Sequence, residues 1–107
     1  MDTKKLAALA AAVRLGSFTR AAEELGYTQS GLTHMMNSLE KDVGFPLLVR
    51  GRTGVRLTPA GQRIFPLVQE CLNGAKALER EILLINTQQE ESVRVAAYDS
   101  ISRHWLA

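Results

Sequence analysis

The chain has 107 residues, about the length of one domain. Its 46% hydrophobic and 22% charged residues match a soluble globular protein rather than a disordered one, and no stretch approaches the roughly 18–20 uninterrupted apolar residues of a membrane span. The single cysteine, Cys71, cannot close an internal disulfide, and with two histidines it is too little for a structural zinc site. A small cytosolic domain with no metal and no cofactor is the expectation. The net charge of +2 hides an asymmetry. Residues 1–63 carry nine Lys/Arg against five Asp/Glu, whereas residues 64–107 carry four against six. The basic first part suits a polyanionic partner.

The alanine-rich stretch after Met1 only faintly resembles a signal peptide, because Arg14 interrupts it. An amphipathic helix explains it better. Asp2 or Thr3 caps a helix running to about Leu15, with Leu6, Leu9, Ala10 and Val13 on one face and Gly16 as the stop. Ser17 starts a short second helix with Arg20 at its third position and Phe18, Ala21, Ala22 and Leu25 as its apolar side, and Gly26 ends it. A third helix begins near Thr28, carries Leu32, Met35, Met36, Leu39 and Val43 at helical spacing, and closes at Gly44. Phe45–Arg50 and Val55–Thr58 are β-prone runs around a glycine-flanked turn, a hairpin signal. Thr58-Pro59 then starts a long helix to about Gln88, roughly 30 residues and about 45 Å.

Along that helix Ile64, Val68, Cys71, Ala75, Leu78, Ile82 and Ile85 alternate spacings of four and three, an a/d seam over three heptads. Phe65, Leu67, Leu72 and Leu84 widen it, so the helix is expected to pack on its own domain and on a second chain. Pro66 removes one helical hydrogen bond. Gln88–Glu91 reads as a hinge and Val93–Tyr98 as a strand, followed from Ser100 by the first turns of another helix.

Ala22, Gly26 and Leu32 carry the functional argument. A small residue lets two helices approach, glycine permits the turn and an aliphatic residue packs them, the arrangement of a helix-turn-helix. Thr28, Gln29, Ser30, Thr33, His34 and Asn37 then form a face of the third helix with no charge before Leu39. Solvated helix faces usually carry Lys and Glu; these side chains instead suit base edges in the major groove of double-stranded DNA. Arg20, Thr28 and Ser30 can also reach phosphates. Arg50, Arg52 and Arg56 around the hairpin form a basic wing for the minor groove or the backbone. Arg50 has a second reading, as a buried ion-pair partner of Glu40 or Asp42.

The runs Gly16–Ser30, Leu39–Gly44, Pro46-Leu47, Arg50 and Val55–Gly61 resemble the N-terminus of LysR-type transcriptional regulators. The resemblance covers residues 2–88 continuously and extends through Val93–Tyr98. It implies a mainly α fold: a winged helix-turn-helix over 1–58, a linker helix over 59–88 that pairs antiparallel in a homodimer, and the hinge and truncated start of an effector-binding domain over 89–107. It places Gln29, Ser30, Thr33 and His34 at DNA-contacting positions. Ser100 and Ser102 fall near the strand–helix junction where small-molecule effectors bind, and pairing into tetramers is a common family habit. Family members often have Arg where His34 stands and Phe where Leu48 stands. Gly31 is expected to weaken a helix interior by about 1 kcal/mol.

Other candidates are weaker. Cys71 lies on the helical seam and reads as a small buried apolar residue rather than a redox sensor. His34 and His104 are far apart and lack companion metal ligands. Asp99, Ser100 and His104 have no orienting partner or oxyanion-hole pattern, so no enzyme is expected. Two competing readings remain: a winged-helix module whose apolar seam binds a protein, and a non-specific DNA binder, which would carry more Lys and Arg on the third helix than Lys41.

Overall fold

The computed structural model describes the backbone of residues 1–99 and the side-chain environments of residues 1–89. The elements are α1 (Thr3–Leu15), α2 (Phe18–Leu25), α3 (Gln29–Val43), β1 (Leu48–Gly51), β2 (Gly54–Leu57) and α4 (Pro59–Asp99). Each of the first three helices is bounded by local chemistry. The side chains of Asp2, Ser17 and Thr28 accept from the backbone N–H groups of Lys5, Arg20 and Gly31, satisfying donors that a helix start leaves unpaired. Gly16, Gly26 and Gly44 end the helices in the left-handed region, where a side chain would be strained. Gly31 therefore stands in the first turn of α3, not in its interior as the sequence suggested. A Cβ there would come within 3.0 Å of the Thr28 hydroxyl oxygen, so glycine leaves room for the cap.

The chain divides into two units, Met1–Asn73 and the residues from Gly74 onward. In the first, Leu9, Leu32, Met36, Leu39 and Leu47 are the largest fully buried side chains, joined by Phe18, Ala21, Ala22 and Val68. The expected inward face of α1 needs correction. Ala8, Ala11 and Ala12 are buried with Leu6 and Leu9, while Ala10 and Val13 are half-buried. Helix α1 meets α2, α3 and β2, and small side chains allow contact on more than one side.

Strands β1 and β2 pair antiparallel, Leu48 opposite Leu57 through Gly51 opposite Gly54, leaving Arg52-Thr53 as a two-residue tip. Three attachments hold this hairpin. The Glu40 carboxylate accepts from the Leu47 and Leu48 N–H groups at 2.6 and 3.0 Å. The Val55 N–H donates to the Gly16 carbonyl at 3.0 Å, and the Thr58 N–H to the Leu47 carbonyl at 2.9 Å.

Helix α4 runs through Pro66 and continues to Asp99. The expected hinge at Gln88–Glu91 and strand at Val93–Tyr98 are not formed; both lie within α4. A strand needs a neighbouring edge for its N–H and C=O groups, and among the described residues the only sheet is the β1–β2 pair. A helix satisfies the same groups internally. The residues from Ser100, including Ser102, His104 and Trp105, lie outside the described residues.

Between α1 and α3, Lys5 Nζ donates to Ser38 Oγ at 2.8 Å and to Asp42 Oδ2 at 3.0 Å, and the N-terminal amine stands 3.0 Å from the same carboxylate. The Lys5 hydrogen bond, then that of the amine, holds the Asp42 carboxyl below its ordinary value of 3.8. A depressed carboxyl stabilises the fold above its ordinary value and loses that contribution as pH falls through the lowered one. Asp42→Asn is therefore expected to lower the melting temperature at neutral pH and to match the unaltered chain in strong acid. Thermal melts across the acid range check this; an unchanged difference at all pH values would rule the contribution out.

Candidate nucleic-acid interface

Helix α3 presents the expected polar face. Thr28, Gln29, Ser30, His34 and Asn37 are exposed and Thr33 is half-buried, while Leu32, Met36 and Leu39 anchor the opposite side in the core. Ser30, His34, Asn37 and Lys41 follow one another at i, i+4, i+7 and i+11, so one stripe carries them. Lys41 extends the stripe beyond the residues expected from the sequence. Thr28 is partly committed: its hydroxyl oxygen accepts from the Gly31 N–H at 3.0 Å and lies 3.4 Å from Ser30 Oγ. Arg20 is exposed on α2.

Strand alternation separates the three hairpin arginines. Arg56 stands opposite Val49, Arg52 is at the tip, and Arg50 stands opposite Val55 on the face that Leu48 and Leu57 share. The reading of Arg50 as a buried ion-pair partner is overturned. Its side chain is exposed, Glu40 is bound to the Leu47 and Leu48 N–H groups, and Asp42 pairs with Lys5 and the N-terminal amine. Arg50 instead lies over the Phe18 ring, 4.2 Å from its centroid. Along the chain Phe18 is marked only as part of the apolar side of α2, and no spacing rule connects residues so far apart. Between the start of α2 and the hairpin a cleft of about 250 Å³ is lined by Ser17, Phe18, Thr19, Gln29, Arg50 and Val55, among others. The first residue of α3 and an arginine of the hairpin both line it.

The apolar seam of α4 divides between two roles. Val68 is buried and Ile64 half-buried in the core of the first unit, with Phe65 and Leu72 packed against it. Burial of Val68 corrects its assignment to a surface facing another chain, whereas Ile64 keeps part of its surface open. Cys71 is exposed, contrary to expectation, because the inward row runs Ile64, Val68, Leu72, one residue past it. In the second unit Ala75 is half-buried, and Leu78, Ile82, Leu83, Leu84 and Ile85 are exposed. Among the described residues no helix is long and apolar enough to cross a membrane, and no group of three or more His, Cys, Asp or Glu could hold a metal ion.

A helix pair joined at Gly26, backed by α1 and followed by a pinned two-stranded hairpin, defines a winged helix-turn-helix domain. Residues 3–62 match the family of bacterial regulatory helix-turn-helix proteins, lysR family, and the chain belongs to it. It is 35% identical over 106 residues to the probable HTH-type transcriptional regulator LrrA of Synechococcus elongatus, covering 99% of this chain and 36% of that protein. To the HTH-type transcriptional regulator HdfR of Yersinia pestis it is 32% identical over 108 residues, covering 99% and 37%. The chain thus spans little more than a third of these relatives' length. Among solved structures, the BenM DNA-binding domain in complex with benA site 1 DNA is similar with a TM-score of 0.73 at 30% identity, over 80% of this chain and 97% of that one. The CbnR DNA-binding domain in complex with DNA gives a TM-score of 0.60 at 29% identity, over 91% and 99%.

Proposed function

We propose that this chain is the DNA-binding part of a cytoplasmic transcriptional regulator that recognises a dyad-symmetric operator as a homodimer. The observation that carries the reading is the exposed stripe of α3, uncharged from Thr28 to Leu39 and flanked by the arginine-bearing hairpin. Gln29, Ser30, Thr33, His34 and Asn37 read base edges in the major groove, where Gln and Asn pair with adenine and the Thr methyl meets that of thymine. Arg20 and Thr28 touch phosphates, and Arg50, Arg52 and Arg56 grip the backbone or the minor groove. Structures of two similar DNA-binding domains with DNA support this reading. No catalytic step is part of it.

The division is 1–58 for DNA binding and 59–88 for pairing, with the residues from 89 leading into an effector-responsive part. The length of the relatives supports a longer regulator whose small-molecule effector binds outside this chain's described residues; Ser100 and Ser102 are its nearest candidates here. Pairing uses Cys71, Ala75, Leu78, Ile82 and Ile85, because Val68 is buried in the chain's own core and Ile64 packs against it. A buried aspartate within an apolar seam is strongly unfavourable. Leu78→Asp with Ile82→Asp is expected to raise the dimer dissociation constant at least thirtyfold, on the order of 2 kcal/mol. Sedimentation equilibrium measures it, and unchanged association would rule out the seam.

Selection of bound fragments from a genomic DNA pool tests the function. Enrichment of one interrupted palindrome supports a specific dimeric regulator. Uniform retention that vanishes with salt would mean non-specific binding, and no retention would favour a protein-binding module. Arg52→Ala is expected to weaken binding to all sequences and to reduce the slope of log affinity against log salt by about one. An unchanged slope would remove Arg52 from the interface.

A further inference from the structure

We infer that Phe18 is a positioning residue for DNA binding, holding the Arg50 guanidinium at the cleft that Gln29 also lines before DNA arrives; this rests on the DNA-binding reading above. The Arg50 guanidinium carbon lies 4.2 Å from the Phe18 ring centroid. The ring is 6% exposed and set in the core, so it is a fixed platform. Arg50 itself is exposed, and none of the side-chain hydrogen bonds or ion pairs found among the described residues uses its guanidinium. Contact with the ring consumes none of its N–H groups in a hydrogen bond to the protein, so they stay available to phosphate or base.

The backbone on both sides of this stack is also fixed. Phe18 opens α2 directly after the Ser17 cap. Arg50 stands opposite Val55, whose N–H donates to the Gly16 carbonyl at 3.0 Å, and Gly16 is two residues from Phe18. Glu40 holds the start of the same strand to α3 through the Leu47 and Leu48 N–H groups. An unsupported arginine on a hairpin loses rotamer freedom when it grips DNA, whereas the Phe18 contact biases Arg50 toward one placement in the free protein.

The test is a double-mutant cycle of Phe18→Leu and Arg50→Ala on this chain, read as affinity at several salt concentrations for a mixed-sequence duplex of about three helical turns. Arg50→Ala is expected to lower the salt slope by about one. Phe18→Leu alone is expected to weaken binding about two- to fivefold, the worth of an exposed cation–π contact, with the slope unchanged because the charge remains. In the Arg50→Ala background Phe18→Leu should weaken binding no further. Equal weakening in both backgrounds would overturn the inference, since Phe18 would then act only through the fold. Duplex binding by the unaltered chain with no effect of Arg50→Ala would overturn it too, while leaving the DNA-binding reading intact. A chain that binds no duplex overturns both. If Phe18→Leu fails to fold, Phe18→Met replaces it. In the unaltered free chain the Arg50 side-chain proton resonances should show upfield ring-current shifts, and ordinary shifts there would exclude the stack.

Discussion

Leu32→Ala is expected to destabilise the first unit by about 2–5 kcal/mol, the usual range for emptying a leucine site in a packed core. Leu32 is 0% exposed and shares its cluster with Ala22 and Phe18 from α2, Leu9 from α1 and Met36 and Leu39 from its own helix. Helices on several sides bound the resulting hole and relax only in part, so the site does not collapse fully. A unit of this size has a total stability of roughly 4–11 kcal/mol by the usual per-residue figure. The substitution therefore removes much of it. Leu32→Met, which keeps the volume, should cost less than about 1.5 kcal/mol. Chemical denaturation of the three proteins decides the matter. A loss under about 1 kcal/mol for the alanine variant would mean that α2 and α3 are not joined through this residue.

The second large effect is expected at Gly54, and it acts on the hairpin. Gly54 has φ of +108°, a conformation that L side chains rarely adopt, and a Cβ would lie 2.5 Å from the Gly16 carbonyl oxygen. That oxygen is backbone and already accepts the Val55 N–H, so it cannot move aside without breaking the attachment. Strain of about 1–3 kcal/mol from the dihedral angle adds to overpacking of similar size. Relief requires the hairpin to lift from α1. Gly54→Ala should thus lose several kcal/mol of stability, or keep its helices with a released hairpin. The second outcome shows as intact far-ultraviolet helicity, fast amide exchange at Val55 and DNA affinity near that of the Arg52→Ala protein. Wild-type exchange and wild-type affinity together would refute the close approach. Gly61 is a milder version. A Cβ there would stand 2.5 Å from the Leu47 carbonyl oxygen, but its α4 backbone is helical and alanine returns about 1 kcal/mol of helix propensity.

These two sites differ in how visible they are along the chain. Leu32 belongs to the Ala22–Gly26–Leu32 pattern and was legible, because a helix-turn-helix places its packing residues at short separations. The collision at Gly54 depends on Gly16, which belongs to another element, and no spacing rule connects them. The same distinction separates the polar face of α3, read correctly from helical periodicity, from the Arg50–Phe18 stack, which exists only once β1 is pinned by Glu40 and Val55. It also explains the seam of α4. A heptad count marks a stripe, but the chain's own core uses the row Ile64, Val68, Leu72 at four-residue steps. This row leaves Cys71 outside.

By itself the sequence determined where α1, α2 and α3 begin and end, since a cap side chain reaches an N–H three residues on and a left-handed glycine acts on its own turn. It likewise determined that a hairpin follows α3, though its strands are Leu48–Gly51 and Gly54–Leu57 rather than 45–50 and 55–58, and it determined the start of α4 and the uncharged face of α3. Tertiary structure alone decided which alanines of α1 are buried, which arginine of the hairpin meets an aromatic ring and which part of the α4 seam remains uncovered. It also decided that residues 93–98 join α4 instead of forming a strand. The reason is range. Caps, turns and periodicity act within about four residues, whereas burial, stacking and strand formation depend on what another segment brings alongside.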